Sequence, residues 1–301
     1  MTTLLLIDCQ KDFHPGGSLP VPNSDEDAER ITNFIRQNTS SIHRIVATMD
    51  SHHPLHIAHP AFWSDEDGNH PNPFTVISMQ DIVSGKWIPR EDIKPSAREA
   101  SISLLIEDEI VAEEGGKMPS DLYSEDASGN KKLNIKQWCI EYTRRLEAKG
   151  RFSLMIWPEH CIVGTEGHNI VPTIVEAMMD WSRKTGGSVE WVHKGQNLLT
   201  EMYSALCAEV PVTKNTSFHH ELMESLKTSE KLIMCGQAMS HCVHYTVRDI
   251  ADHWPKEEMG KLVILKDCAS TIPGFEDASD TFLSDMAAAG VNVETTETLK
   301  L

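Results

Sequence analysis

Four apolar runs in this sequence end on residues that could do chemistry together. Asp8 follows Thr3–Ile7, and Asp50-Ser51-His52 closes the run that starts at Arg44–Thr48. His193-Lys194-Gly195 follows SVEWV (Ser188–Val192), while Gly236 and then Cys242 follow KLIMC (Lys231–Cys235). A thiol at the opening of a helix is acidified by the helix dipole and free amides, and a nearby cation adds to this. A carboxylate can accept the thiol proton and later return it to a departing amine. Asp8, Lys194 and Cys242 therefore form a candidate set for nucleophilic acyl chemistry. Taken singly, each has a plainer explanation: Asp8 as a turn cap, Lys194 as a solvated surface lysine, Cys242 as a small buried hydrophobe. Their convergence is what argues for chemistry.

The pair Asp50-x-His52 directs two ligands to one face of an extended segment, which suits a divalent metal. His53, His56 and His59 follow closely and compete with a surface reading. A third ligand has to come from elsewhere, and WPEHC offers His160 in a Pro-containing turn. His/His/Asp ligation points first to zinc, with iron and manganese sharing the ligand types.

The elements that must position these residues alternate. Besides the four runs above, Leu262–Leu265 and Val291–Glu294 read as strands. A helix is expected near Ala28–Gln37. Ile170, Ile174, Val175, Met178 and Trp181 recur at helical spacing, as do Val243, Val247, Ile250 and Trp254. Near-continuous apolar strands alternating with helices predict an α/β fold, a parallel sheet covered by helices on both faces. In such sheets ligands bind outside the carboxyl ends of the strands, where the four polar groups fall. Residues 64–151 break the rhythm with SDEDGNHPNPF, the acidic run EDEIVAEEGGK, and an amphipathic stretch bearing Ile135, Trp138, Cys139, Tyr142 and Leu146. They read as an insertion into a single domain spanning 1–301, joined back through strand-like FSLMI. Tethered at both ends beside the expected pocket, the insertion is a candidate cover, with Asn72 and Phe74 near the substrate; a peripheral packing element is the plainer alternative.

Forty-five acidic residues against 27 basic ones give a net charge of -18, which speaks against nucleic acid or an anionic membrane as partner. The seven cysteines form no CxxC pair, MTTLLLID lacks a signal-peptide pattern, and no apolar stretch reaches membrane-spanning length. Reduced thiols and a cytoplasmic location follow as expectations.

Together, DCQKDF (Asp8–Phe13) with PGGSL, DSHHPLHIAH (Asp50–His59), WPEHCIVGTEG (Trp157–Gly167), HKG with YSA (Tyr203–Ala205), and GQAMSHCV (Gly236–Val243) resemble the nicotinamidases of the isochorismatase-like hydrolase family. The resemblance covers roughly residues 1–63 and 152–296. It implies a three-layer αβα fold and an amidohydrolase acting on a small amide, nicotinamide first, as in NAD salvage. It implies Asp8, Lys194 and Cys242 as catalytic triad, and Asp50, His52 and His160 as ligands of one divalent metal. Ala238 and Cys242 would offer backbone amides to an oxyanion beside a cis peptide at Gln237–Ala238, and Phe13 and Trp157 would flank the substrate ring. The chain departs from the family in three places. An extra residue precedes Pro54, so His53 or His56 competes as ligand. Met239-Ser240 replaces Thr-Asp, leaving Ser240 as the expected helix cap. The insertion is long, which opens other amides as substrates. The expected partner is a small-molecule amide, and a homo-oligomer is compatible with the sequence. Two rivals are a hydrolase attacking through a metal-bound hydroxide and a non-catalytic binding protein on the same fold.

Overall fold

Strands that are apolar on both faces must be covered on both, and this requirement organises the molecule. The computed structural model describes residues 1–93, 121–125, 129 and 131–301. Six parallel strands form the main sheet: β1 (Thr2–Ile7), β2 (Arg44–Asp50), β9 (Glu190–Lys194), β10 (Lys231–Gly236), β11 (Leu262–Leu265) and β12 (Asn292–Glu294). Their order is β12-β11-β10-β1-β2-β9. The chain winds outward from β1 in one direction and then, from β10, in the other, so the topological switch point lies between β1 and β10.

Successive side chains of a strand point to opposite faces. Leu4 and Leu6 of β1, with Ile233 and Val263, pack under the helices Ser24–Gln37 and Pro172–Thr185. Leu5 and Ile7, with Leu232, Met234 and Ile264, face the helices His220–Lys227, His244–His253 and Glu276–Ala288. The expected α/β sandwich is present. Among the described residues no helix is long and apolar enough to cross a membrane.

The inserted region contributes three small antiparallel pairs and two helices among the described residues. In the strand pairs, β3 (Trp63–Ser64) meets β5 (Ile88–Pro89), β4 (Val76–Ile77) meets β8 (Leu154–Met155), and β6 (Tyr123–Glu125) meets β7 (Lys131–Leu133). FSLMI is thus not a strand of the main sheet, because its only two extended residues pair with the insertion. A short helix, Met79–Val83, carries a capping box between Ser78 and Asp81. The longer helix, Ile135–Lys149, starts under the Asn134 side chain and stops at Gly150 in left-handed conformation. It buries Ile135, Trp138, Cys139, Tyr142 and Leu146 in the same core as the sheet, as their helical spacing predicts. The acidic run EDEIVAEEGGK lies outside the described residues.

Candidate active site

Sheet register brings the first residues together before any loop is considered. Ile7 pairs with Gly236, and Asp50 pairs with Lys194. Asp8, immediately after β1, therefore sits between the end of β2 and the exit of β10. Its backbone is left-handed (φ 45°), a conformation that Asp tolerates better than most residues. Thr48 of β2 clamps it: the Thr48 hydroxyl donates to Asp8 Oδ1 at 2.6 Å and accepts from Asp8 N–H at 3.1 Å.

Lys194 is fully enclosed at the centre. Its ammonium donates to Asp50 Oδ1 (3.0 Å), Met202 O (2.9 Å) and Cys242 Sγ (3.5 Å), and lies 3.0 Å from Asp8 Oδ2. Burial works against its charge, yet Asp50 and Asp8 hold its pKa well above the usual lysine value. Cys242 lies in the π-helical turn Met239–Val243 that leads into the helix His244–His253. The peptide Gln237–Ala238 is cis, and Ala238 and Cys242 both line the pocket. Burial pushes the Cys242 thiol well above its usual pKa; Lys194 pulls it down, and Asp8 raises it further, by charge and by hydrogen bonding to the thiol. Burial and Lys194 thus pull the thiol in opposite directions, with Asp8 beside it as the base. Burial also raises the Asp8 carboxyl against the pull of Lys194, which makes it a stronger base. Ser240 is not the cap: its hydroxyl pairs with His241 Nδ1 (2.9 Å) and accepts from Ile272 N–H (3.3 Å), while Ala238 occupies the cap position.

A second cluster adjoins the first through Asp50. Gln10 fixes the Asp50 backbone, donating to its carbonyl and accepting from its N–H, both at 2.7 Å. His52 Nδ1–H donates to Gly195 O (3.0 Å) and His160 Nδ1–H to Pro158 O (2.8 Å). Those carbonyl partners engage both Nδ1 atoms, so each Nε2 is left facing Asp50 Oδ2, at 3.0 and 3.4 Å. Gly195 has φ 75°, and a Cβ there would stand 2.7 Å from Asp50 Oδ1 and 2.8 Å from His52 Cε1, so HKG needs its glycine. Burial would raise the Asp50 carboxyl, but His52 and Lys194 hold it well below the usual range. Buried His52 Nε2 has no aligned hydrogen bond. Two imidazole nitrogens and a carboxylate oxygen brought this close are the ligand types of a divalent cation site. Asp50, His52 and His160 can hold one, and so by distance can His52, His56 and His59. His56 spends both ring nitrogens, Nε2 on Thr200 O and Nδ1 on Ala58 N–H. His59 Nε2, by contrast, is buried and without a hydrogen-bond partner.

Phe13, Leu19, Trp157, Tyr203, His241 and Ile272 complete the pocket wall around Cys242, Ala238, Asp50, His160 and Glu201. Trp157 N–H donates to the Tyr203 hydroxyl (3.0 Å) and its ring meets His241 edge-on. Burial lowers the His241 pKa to about 3, so its imidazole is neutral. None of the described insertion residues lines the pocket. Phe74 meets Trp157 edge-on at 5.8 Å, but Phe74 is 53% exposed and Asn72 is exposed too. This segment adjoins the wall rather than covering the opening. Glu201 is the site residue that sequence reasoning missed. It is buried, with Oε1 4.0 Å from His52 Nε2 and Oε2 without a partner. A lone carboxylate within the apolar stretch LLTEMY was the available signal, since an acid buried among apolar neighbours needs a partner.

Comparison with known proteins identifies the fold. No family model matches the chain. A nicotinamidase of Escherichia coli (strain K12) is 30% identical over 139 residues, 46% of this chain and 57% of that protein. The chain thus matches a little over half the length of this curated relative. A solved yeast nicotinamidase bound to the inhibitor nicotinaldehyde superposes with a TM-score of 0.59 at 19% identity, covering 98% of this chain and all of that one. The pyrazinamidase of Pyrococcus horikoshii, solved in complex with zinc, gives a TM-score of 0.52 at 19% identity over 98% of both chains. The chain carries the isochorismatase-like fold shared by nicotinamidases and pyrazinamidases.

Proposed function

We propose that this chain is a cysteine amidohydrolase that releases ammonia from a small aromatic amide, nicotinamide first, through a thioester on Cys242. We read it as one hydrolase domain, 1–301, with residues 64–151 inserted. The observation that carries the activity is a single buried ammonium, Lys194, 3.0 Å from Asp8 Oδ2 and 3.5 Å from Cys242 Sγ at the sheet's switch point. Similarity to the Escherichia coli nicotinamidase supports the reaction class, and the yeast enzyme's nicotinaldehyde supports a pyridine ligand.

Asp8 accepts the thiol proton as Sγ attacks the amide carbonyl, and Lys194 balances the negative charge shared between them. The backbone N–H groups of Ala238 and Cys242 receive the oxyanion. Asp8 returns the proton to the leaving nitrogen, ammonia departs, and the acyl group remains on Sγ. Asp8 then takes a proton from water as the water attacks the thioester; collapse releases the carboxylic acid and restores the thiol. Phe13 and Trp157 hold the ring.

In this reading Asp50, His52 and His160 hold one divalent metal. Zinc is the first choice, given the zinc complex of the Pyrococcus horikoshii pyrazinamidase, with iron or manganese the alternatives. When bound, the cation supplies a positively charged point that orients a ring nitrogen and its waters.

The test is ammonia release from a panel of amides. Cys242→Ala should lower kcat by at least about a thousandfold, as loss of a covalent nucleophile does, while zinc content stays unchanged. Retained turnover in that variant would sink the thioester and favour attack by a metal-bound hydroxide.

A further inference from the structure

We propose that the inserted helix Ile135–Lys149 is a positioning element for the pocket, acting through Tyr142 and Trp138 on the segment that delivers Glu201. The proposal rests on the reading of Asp50, His52 and His160 as a metal site.

Residues 195–217 contain neither helix nor strand, so their backbone groups must find partners elsewhere. The helix supplies three of them. Trp138 Nε1–H donates to Leu199 O (2.9 Å), Tyr142 Oη accepts from Glu201 N–H (3.1 Å), and Lys149 Nζ donates to Glu209 O (2.8 Å). Positions 138, 142 and 149 share one helix face, so a single rigid element grips the segment at three points. Trp138, Tyr142, Leu199 and Glu201 are all buried, and water cannot replace these bonds.

What is gripped reaches the site in three consecutive residues. The Glu201 carboxylate, its Oε1 held by Met202 N–H at 2.9 Å, points at His52. Met202 O accepts from Lys194, and Tyr203 forms pocket wall. The described helix of the insertion therefore supports the pocket from behind. Groups that orient the surroundings of a metal typically change its affinity ten- to a hundredfold when removed.

Tyr142→Phe keeps the ring and deletes the hydroxyl that accepts from Glu201 N–H and also meets Thr200. Zinc affinity, measured by competition with a chromogenic chelator on the full chain, should fall about tenfold. Glu201→Gln should lose at least as much. Ile35→Val, a core change on the opposite face of the sheet, should lower Tm without moving zinc affinity, separating positioning from general loosening. Unchanged affinity in Tyr142→Phe or in Glu201→Gln, with normal zinc binding by the wild type, overturns the proposal alone. Failure of the wild type to bind zinc, or a His160→Ala variant that binds it normally, overturns the metal reading and this proposal with it.

Discussion

Two neighbouring regions bury carboxylates and treat them differently. At the carboxyl edge of the sheet, Asp8 and Asp50 share the Lys194 ammonium, each at 3.0 Å. In the irregular segment behind the pocket, Glu201 and Glu209 are as deeply buried, but the basic groups that face them, His52 and Arg151, stand 4.0 Å away. Burial accordingly raises the Glu209 pKa to about 8, with Arg151 pulling the other way, whereas the Asp50 carboxyl is held well below its usual range. The first region spends its polarity on internal charge balance, and the second keeps acceptor capacity free and depends on the inserted helix for shape.

The largest effect should come from removing the shared cation. Lys194→Met leaves two buried carboxylates facing each other without the cation that they share. Breaking a buried ion pair in this way typically costs about 3–5 kcal/mol. Urea unfolding at pH 7 should show a loss of that order, together with loss of amide hydrolysis. A loss below about 1 kcal/mol would mean that the sheet edge is not electrostatically balanced by Lys194, and the contrast between the regions would fail.

The same contrast explains what could be read from the sequence. Asp8, Asp50 and Lys194 each sit at the end of a strand recognisable from its apolar run, and parallel-sheet topology places strand ends together without knowledge of any loop. Cys242 was reachable because it opens the helical segment after KLIMC. The helix Ile135–Lys149 was legible from its apolar spacing, but nothing in that spacing says which segment it grips. Glu201 lies where no periodicity exists, and its direction depends on contacts from Tyr142 and Met202, distant and adjacent in sequence. The histidine-rich loop shows the same limit. His56 and His59 look alike in sequence, and only their ring partners distinguish a satisfied imidazole from one with a free nitrogen. How deeply the thiol lies is also invisible in a one-dimensional pattern, although burial raises its pKa against the pull of Lys194.

A smaller effect should appear at Glu209, in the pH dependence of stability. Its pKa is about 8 in the folded chain against 4.5 for an ordinary glutamate. The folded state therefore binds the proton more tightly than the unfolded state, so the stability this group contributes is complete below about pH 4.5 and is lost as pH rises toward 8. Glutamine resembles the protonated form at every pH and carries no such dependence. Glu209→Gln should thus match the wild type in unfolding free energy near pH 5. Its advantage should then grow steadily to on the order of 3–4 kcal/mol by pH 8, since each pH unit across the window is worth about 1.4 kcal/mol at most. Subtracting the two urea-unfolding curves cancels every titration that the variants share, including those of the histidines and the sheet-edge carboxylates. A constant difference between pH 5 and pH 8 would show that Glu209 is ionised throughout and paired with Arg151. The segment behind the pocket would then be balanced in the same manner as the sheet edge, and the distinction between the two regions would reduce to the presence or absence of regular strands.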